Sequence, residues 1–248
     1  MGDKIQYSIL GLVIAIFIMQ LGFNFLSLYR TYVYTGNDWK RVFMPSIPTA
    51  ANNDNNAQVP QAPEVAFENV DLISESDYVR GNRNASIVLI EYADLDCPFC
   101  AQFHKTAQQL VDEMGDEIAW VSRHFPLAQL HPNARLKAIA TECAGVQGGN
   151  DAFWEMTDAL YEDQSIQGTE DSLVSLASTL GFDGEILRTC LSNESIAAKV
   201  DAQYQSGLSA GITGTPGNII VNVENQKVRL IPGALPIDFL KAEIEKVR

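Results

Sequence analysis

Basic side chains are scarce in this 248-residue chain. It has 17 lysines and arginines against 31 aspartates and glutamates, which gives a formal net charge of −14 at pH 7. Residues 1–66 are balanced in charge, so the excess acid belongs to the remainder. A protein that binds nucleic acid or anionic lipid needs basic clusters to neutralise phosphates. The composition therefore argues against nucleic acid as a partner and against tight electrostatic binding to a lipid surface.

Charge of either sign is missing between Lys4 and Arg30, and residues 7–29 are dominated by Ile, Leu, Phe, Val and Gly. This run is long enough to cross the hydrocarbon core of a bilayer. A cleavable signal peptide would be shorter and would end at a small-residue site. The sequence therefore predicts a tail at 1–6 and a retained transmembrane signal anchor at 7–29, so that the protein would be single-pass.

Regular apolar periodicity is also missing from residues 30–66, which are rich in proline and asparagine. This composition is typical of a flexible linker. Residues 67–248 then form one domain, long enough to enclose a single core.

Histidine and cysteine are few, with three and four residues. Structural zinc sites use closely spaced pairs of ligands, and Cys143 and Cys190 lack such spacing. His104 follows Cys100 by four residues, but one such histidine is weak support for a copper or zinc site. We predict no metal and no cofactor.

The most informative motif is Cys97-Pro98-Phe99-Cys100. The apolar run over residues 87–93 that precedes it predicts a buried strand. Proline suits the first helical position, and apolar residues recur every three or four positions until Gly115. Cys97 should thus lie at a helix N-terminus, where free backbone N–H groups favour a thiolate, and Cys100 should be shielded one turn inside.

Together with this motif, several stretches carry a resemblance to a known family. From about residue 67 to the C-terminus the chain resembles the DsbA-like thiol:disulfide oxidoreductases of the thioredoxin superfamily. The stretches that carry the resemblance are Glu91–Cys100, Arg123–Leu127, His131–Ala134, Phe153–Met156 and Gly211–Pro216.

The resemblance implies the roles of the site residues. Cys97 would be the attacked sulfur and Cys100 its partner, with Thr215 and Pro216 forming a cis-proline loop that binds client peptides. An ordinary trans turn is the alternative at that loop. Glu91 would be a buried acid that exchanges a proton with Cys100, or else a strand-end glutamate that points into solvent.

Phe99 departs from the best-known oxidases of this family, which usually have histidine at this position. Phenylalanine can neither donate a hydrogen bond nor place positive charge near a thiolate. We therefore expect a milder oxidant than a relative that has the histidine.

The predicted fold class is α/β, a thioredoxin-like fold with a helical insertion over about residues 131–210, preceded by the single transmembrane helix. Apolar patterns predict strands at 118–125, 219–223 and 228–231 and a helix at 236–247. Within the insertion, helices should start near the following positions: Pro132, Asp151, Glu170, Asp183 and Glu194.

Cys143 and Cys190 lie in helical segments away from the active motif. An even number of cysteines suits an extracytoplasmic protein, and the two are expected to form a structural disulfide. Two buried free thiols are the alternative.

The sequence predicts an extracytoplasmic enzyme that introduces disulfides into client proteins and is recharged by a quinone-linked membrane protein. An isomerase or reductase that uses the same cysteines is one alternative, and a tethered binding module with two inert disulfides is another. The basic residues Arg30, Lys40 and Arg41 follow the anchor, which on the positive-inside rule favours a cytoplasmic domain. Disulfide chemistry favours the opposite side, and we prefer it.

Overall fold

A five-stranded mixed sheet lies at the centre of residues 66–248, the part of the chain that our computed structural model describes. Its order is β1-β3-β2-β4-β5, with β2 and β3 parallel and the other neighbours antiparallel. The strands are β1 (Val79–Gly81), β2 (Ile87–Ala93), β3 (Ile118–His124), β4 (Gly217–Asn222) and β5 (Val228–Pro232). The short strand β1 has no counterpart among the sequence predictions.

Helix α1 (Pro98–Met114) connects β2 to β3. Parallel strands need such a crossover, and an amphipathic helix covers the sheet while it makes the connection. Its apolar side packs with α6 (Ile237–Val247) against one face of the sheet, where Phe103, Leu110 and Leu240 are fully buried. Every residue of β2 is buried, as its apolar run predicts.

The predicted helical insertion lies between β3 and β4 and is built from four helices, the first of which is kinked. They are α2 (Ala134–Glu162), α3 (Glu170–Thr179), α4 (Gly184–Leu191) and α5 (Glu194–Ser209). The side chains of Thr169, Asp183 and Asn193 accept hydrogen bonds from the first turns of α3, α4 and α5, which explains where these helices begin.

Helix α2 contains both of the helices predicted to start near Pro132 and Asp151. The two segments are continuous across a kink at Gly149, which has φ 71° and ψ −151°. A residue with a side chain is strained at that φ, whereas glycine adopts it readily. The kink therefore lies where the sequence pattern predicted the start of a second helix, near Asp151.

Cys143 and Cys190 form a disulfide that joins α2 to α4. Their Cα atoms are 5.8 Å apart and 47 residues separate them in sequence. Cys143 is fully buried in the core of the insertion, beside Leu173 and Leu187. Of the two arrangements considered for these cysteines, the structure has the bonded one.

The predicted tail, the anchor at 7–29 and all but the last residue of the linker at 30–66 lie outside the described residues. Within residues 66–248, no helix is both long and apolar enough to cross a bilayer.

Removing the disulfide should destabilise the domain strongly. Closing a loop of this length lowers the entropy of the unfolded chain, which stabilises the fold by about 3–4 kcal/mol in the chain-entropy model. We expect urea unfolding of Cys143→Ala/Cys190→Ala to show a decrease of that order. The Cys97→Ala/Cys100→Ala variant is the matched control, because it also lacks two cysteines but keeps the cross-link. A decrease below about 1 kcal/mol would contradict the structural role.

Candidate active site

Cys97 is the N-cap residue of α1, with the extended backbone (φ −81°, ψ 120°) that this position requires. Pro98 occupies the first turn, and the amide of Ala101 donates to the Cys97 carbonyl at 3.1 Å. Phe99 is 63% exposed, whereas Cys97 is only 5% exposed and Cys100 is fully buried. The helix start thus places one thiol near the surface and the other beneath it.

The two thiols have opposite electrostatic environments. A hydrogen bond from the Cys100 thiol, together with the backbone N–H groups of Cys100 and Phe99, outweighs burial and lowers the pKa of Cys97 to about 5. Burial, the hydrogen bond to Cys97 and the charge of Glu91 raise the pKa of Cys100 far above that of a free cysteine. At neutral pH the reduced pair therefore holds one thiolate, at Cys97, and one proton, at Cys100.

The loop between α5 and β4 faces this pair. The peptide bond between Thr215 and Pro216 is cis, and the carbonyl oxygen of Thr215 lies 3.6 Å from the Cys97 sulfur. A cleft of about 340 Å³ adjoins the loop and is lined by residues 211–217 together with Leu230, Pro232 and Gly233. The tertiary structure thus brings Thr215 and Pro216 to Cys97 across 118 positions of sequence.

Glu91 lies on β2 and is fully buried, so the solvent-exposed alternative for this residue is wrong. Its Oε2 accepts a hydrogen bond from the Trp120 indole at 3.1 Å. Burial raises the pKa of Glu91 to about 8, a rise that the Trp120 hydrogen bond opposes and the charge of Cys97 reinforces. Glu91 is therefore mainly protonated at neutral pH and can exchange that proton.

Asp94 organises the turn between β2 and α1, a role that sequence reasoning missed. Its buried carboxylate accepts from the amides of Asp96 and Leu127 at 2.8 and 2.7 Å, and it lies 3.0 Å from His131 Nδ1. Its own amide donates to the Cys100 sulfur at 3.5 Å. An aspartate directly after a buried strand was the available signal, because such a carboxylate needs several donors.

Lys137 is a second contribution that sequence reasoning missed. It is 1% exposed, and its Nζ lies 2.5 Å from Asp96 Oδ1. A buried ammonium needs such a partner. The ion pair connects helix α2 of the insertion to the residue immediately before Cys97.

His104 does not join the cysteines in a metal site. Its Nε2 is 2.6 Å from Asp158 Oδ1 on α2. Within residues 66–248, no group of three or more histidine, cysteine, aspartate or glutamate side chains is arranged to hold a metal ion.

Comparison with known proteins identifies the family of the chain. The family model described as Thioredoxin matches residues 74–230, more than half of the chain.

The chain belongs to the thioredoxin family.

Similarity to solved structures assigns this thioredoxin-family protein to a narrower group within the superfamily. DsbA2 from Pseudomonas aeruginosa is 28% identical, with a TM-score of 0.61 over 69% of this chain and 94% of that chain. Oxidised BdbD from Bacillus subtilis is 21% identical, with a TM-score of 0.58 over 75% of this chain and 96% of that chain, and shows the shared fold. The protein is a DsbA-like member of the thioredoxin superfamily, and this fold supports thiol-disulfide exchange.

Curated relatives match this thioredoxin-family chain over shorter regions. The Na(+)/H(+) antiporter NhaA 1 from Salinispora arenicola is 34% identical over 142 residues, which is 57% of this chain and 21% of the antiporter. The NhaA 1 antiporter from Mycolicibacterium gilvum is 42% identical over 90 residues, 36% of this chain and 14% of the antiporter. The chain spans about a fifth of the length of these relatives or less, so antiporter activity does not transfer to it.

Alkylation of reduced protein should reveal the low pKa of Cys97. Because only the thiolate reacts, the iodoacetamide rate should stay nearly constant from pH 8 to 6 and then fall about tenfold per unit below pH 5. A pKa below the ordinary ~8.5 also means that the thiolate stabilises the folded reduced protein above pH 8.5 and that this stabilisation is lost as pH falls through about 5. The Cys97→Ser variant should not show this reaction. A midpoint of the pH profile above about 7.5 would contradict the low pKa of Cys97.

Proposed function

We propose that the protein is an extracytoplasmic thiol:disulfide oxidoreductase that introduces disulfides into client proteins through Cys97 and Cys100. The observation that carries the proposal is the inequality of the two thiols. One is a stabilised thiolate at a helix N-terminus opposite the cis-proline loop, and the other is a buried, protonated partner.

The proposed cycle starts from the Cys97–Cys100 disulfide. A client thiolate attacks the Cys97 sulfur, the bond to Cys100 breaks, and Cys100 takes a proton. A second client thiolate then attacks the client sulfur of the mixed disulfide, and Cys97 leaves as a thiolate. Two electrons pass from the client to the enzyme, and the client gains one disulfide.

The thiolate at Cys97 makes the disulfide oxidising. With a pKa of about 5 in place of ~8.5, the reduced form gains about 3 kcal/mol at pH 7, which raises the potential of the couple by roughly 60 mV. The same stabilisation makes Cys97 the better leaving group when the mixed disulfide is resolved. The cis-proline loop and its adjoining cleft would bind the client segment beside this sulfur.

Glu91 would serve as the proton donor and acceptor for Cys100. It is buried, mainly protonated at neutral pH and close enough to Cys100 that the negative charge of its ionised form raises the pKa of that thiol. A proton held there can pass to Cys100 when the disulfide opens and return when it closes.

The anchor at 7–29 would hold the enzyme in the cell membrane, and the linker would let the domain reach clients and a quinone-linked membrane protein that reoxidises it. The Cys143–Cys190 disulfide supports an extracytoplasmic domain, because such bonds persist in oxidising compartments. That chemistry weighs more than the few basic residues after the anchor, which favour the reverse topology.

A reductase or isomerase is the second candidate, and Phe99 is the observation that favours it. Its ring is largely exposed and offers the Cys97 thiolate no hydrogen bond. The Cys97 thiolate is therefore less stabilised than it would be beside a hydrogen-bond donor. The reduction potential of the pair then lies closer to the range of proteins that reduce disulfides. An inert binding module is less compatible with the low pKa of Cys97.

The decisive experiment measures client oxidation and the reduction potential of Cys97 and Cys100 on the full-length protein in glutathione buffers. A potential above about −180 mV with client oxidation supports the oxidase, and one below roughly −230 mV supports the reductase. Cys97→Ser should abolish turnover, whereas Cys100→Ser should accumulate a mixed disulfide with the client. The Cys143→Ala/Cys190→Ala variant controls for the structural bond, and wild-type turnover by Cys97→Ser would refute the proposal.

Phe99→His should make the protein a stronger oxidant. A hydrogen bond to a charged group contributes about 1.5–3 kcal/mol, which corresponds to roughly 30–65 mV for this couple. Glutathione equilibration should show a rise of that order. Phe99→Leu is the matched control, since leucine has no donor and should leave the potential near that of the wild type. Equal potentials for all three proteins would show that residue 99 does not act on the thiolate.

A further inference from the structure

Three buried polar atoms behind Cys100 have no hydrogen-bond partner within residues 66–248. They are Glu91 Oε1, the Tyr161 hydroxyl and His104 Nδ1. Leaving such groups unpaired is costly, so buried polar atoms that neighbour one another usually share hydrogen bonds directly or through an internal water.

The three side chains belong to one contiguous cluster. Trp120 donates to Glu91, and its ring centroid is 5.0 Å from that of His104. The ring of Tyr161 lies 4.7 Å from the ring of His104. Burial, and then the charges of Cys100 and Glu91, raise the pKa of Tyr161 well above its ordinary value, so its hydroxyl stays protonated near both groups.

Helix α1 sets the position of His104 relative to the buried thiol. Residues four apart lie on the same face of a helix, so His104 is directly one turn beyond Cys100. Both side chains are on the buried side of α1. A proton acceptor therefore lies along the helix from the group that must gain and lose a proton.

The other ring nitrogen of His104, Nε2, contacts a partly exposed side chain. Nε2 is 2.6 Å from Oδ1 of Asp158, whose side chain is 38% exposed. Asp158 also accepts two hydrogen bonds from Arg80, at 3.1 and 2.8 Å, and it lines an open cleft of about 690 Å³. His104 thus lies between Tyr161 of the buried cluster and the partly exposed carboxylate of Asp158.

The elements that pack against His104 contribute titratable or charged groups to its surroundings. Helix α2 contributes Asp158 and Tyr161, strand β1 contributes Arg80, and β2 contributes Glu91 through Trp120 on β3. Burial lowers the pKa of His104, although the hydrogen bond to Asp158 opposes this, so the ring is neutral at pH 7. A neutral ring that donates from Nε2 to Asp158 has its acceptor, Nδ1, directed to the buried side.

We propose that His104 and Asp158 conduct the proton that Glu91 and Cys100 exchange with solvent. This inference rests on the proposed function. A proton that leaves Glu91 reaches Nδ1 through the Tyr161 hydroxyl or an internal water, and the ring then releases its Nε2 proton to Asp158 in the cleft. The inward path is the reverse.

One histidine is sufficient for the number of protons that the cycle moves. Oxidation of a client dithiol removes two protons from the client, one of which the enzyme keeps as the Cys100 S–H bond. Reoxidation by a disulfide of the redox partner takes the two electrons and releases that proton from Cys100. One proton therefore enters and one leaves in each turnover, and the reversal restores the original tautomer of His104.

The test separates the two chemical steps by stopped-flow Trp fluorescence, using reduced full-length protein and excess oxidised glutathione. In the first step the Cys97 thiolate attacks glutathione disulfide, and the rate depends on glutathione concentration. In the second step Cys100 loses its proton, attacks Cys97 and releases glutathione, and the rate is independent of that concentration. Only the second step needs the proton path.

His104→Gln keeps a donor for Asp158 but cannot carry a proton. We expect it to leave the first step within twofold of the wild type and to slow the second step by about tenfold or more at pH 7, since a positioned acid or base contributes at least that much. The equilibrium constant with glutathione should stay within twofold. Asp158→Asn should act in the same direction, and imidazole in solution should restore the second step in His104→Ala.

His124→Gln is the matched control. His124 is also a buried histidine that faces a carboxylate on α2, with its Nε2 3.5 Å from Glu142, but its ring lies outside the cluster around Tyr161. Both steps should be unchanged in this variant.

Two results would overturn the relay while the proposed function stands. One is a wild-type second step in His104→Gln, and the other is equal slowing of both steps without rescue by imidazole. If instead the wild-type protein fails in the first step, the proposed function itself is wrong and the relay with it.

Discussion

The separation of one negative charge and one proton over the first turn of α1 is the constraint on which the rest of the site depends. Cys97 holds the charge because the Cys100 thiol and free backbone N–H groups converge on its sulfur. Cys100 holds the proton because burial strongly disfavours a second thiolate so close to the first. The neighbouring acid, Glu91, is buried too, so a change in the bonding of Cys100 must be accompanied by movement of its proton.

The helical insertion is part of this electrostatic arrangement. Helix α2 contributes Lys137 to the residue before Cys97, Tyr161 to the space behind Cys100 and Asp158 to His104. The disulfide between Cys143 and Cys190 stabilises the same helix against α4. Stability of the insertion and chemistry at the cysteines are therefore coupled through one element, because α2 contacts both the disulfide and the site.

Much of the fold could be predicted from local patterns. The continuous apolar run of β2, Pro98 at the start of α1 and the capping residues Thr169, Asp183 and Asn193 are signals that depend only on neighbours in sequence. The kink at Gly149 was only partly predictable, since a glycine can end a helix or bend it and packing decides which. The three-residue strand β1 offers too short a pattern to separate from a loop.

By itself, the sequence determined the Cys97-Pro98-Phe99-Cys100 motif, the helix that presents it, and the cysteines and proline of the candidate site. Only the tertiary structure decided which groups surround them, because pairs such as His104 with Asp158 or Lys137 with Asp96 join residues that are far apart in the chain. Local backbone preferences act between near neighbours and can be read directly. The pKa values of Cys97 and Glu91 depend instead on burial and on distant partners, which exist only once the chain has folded.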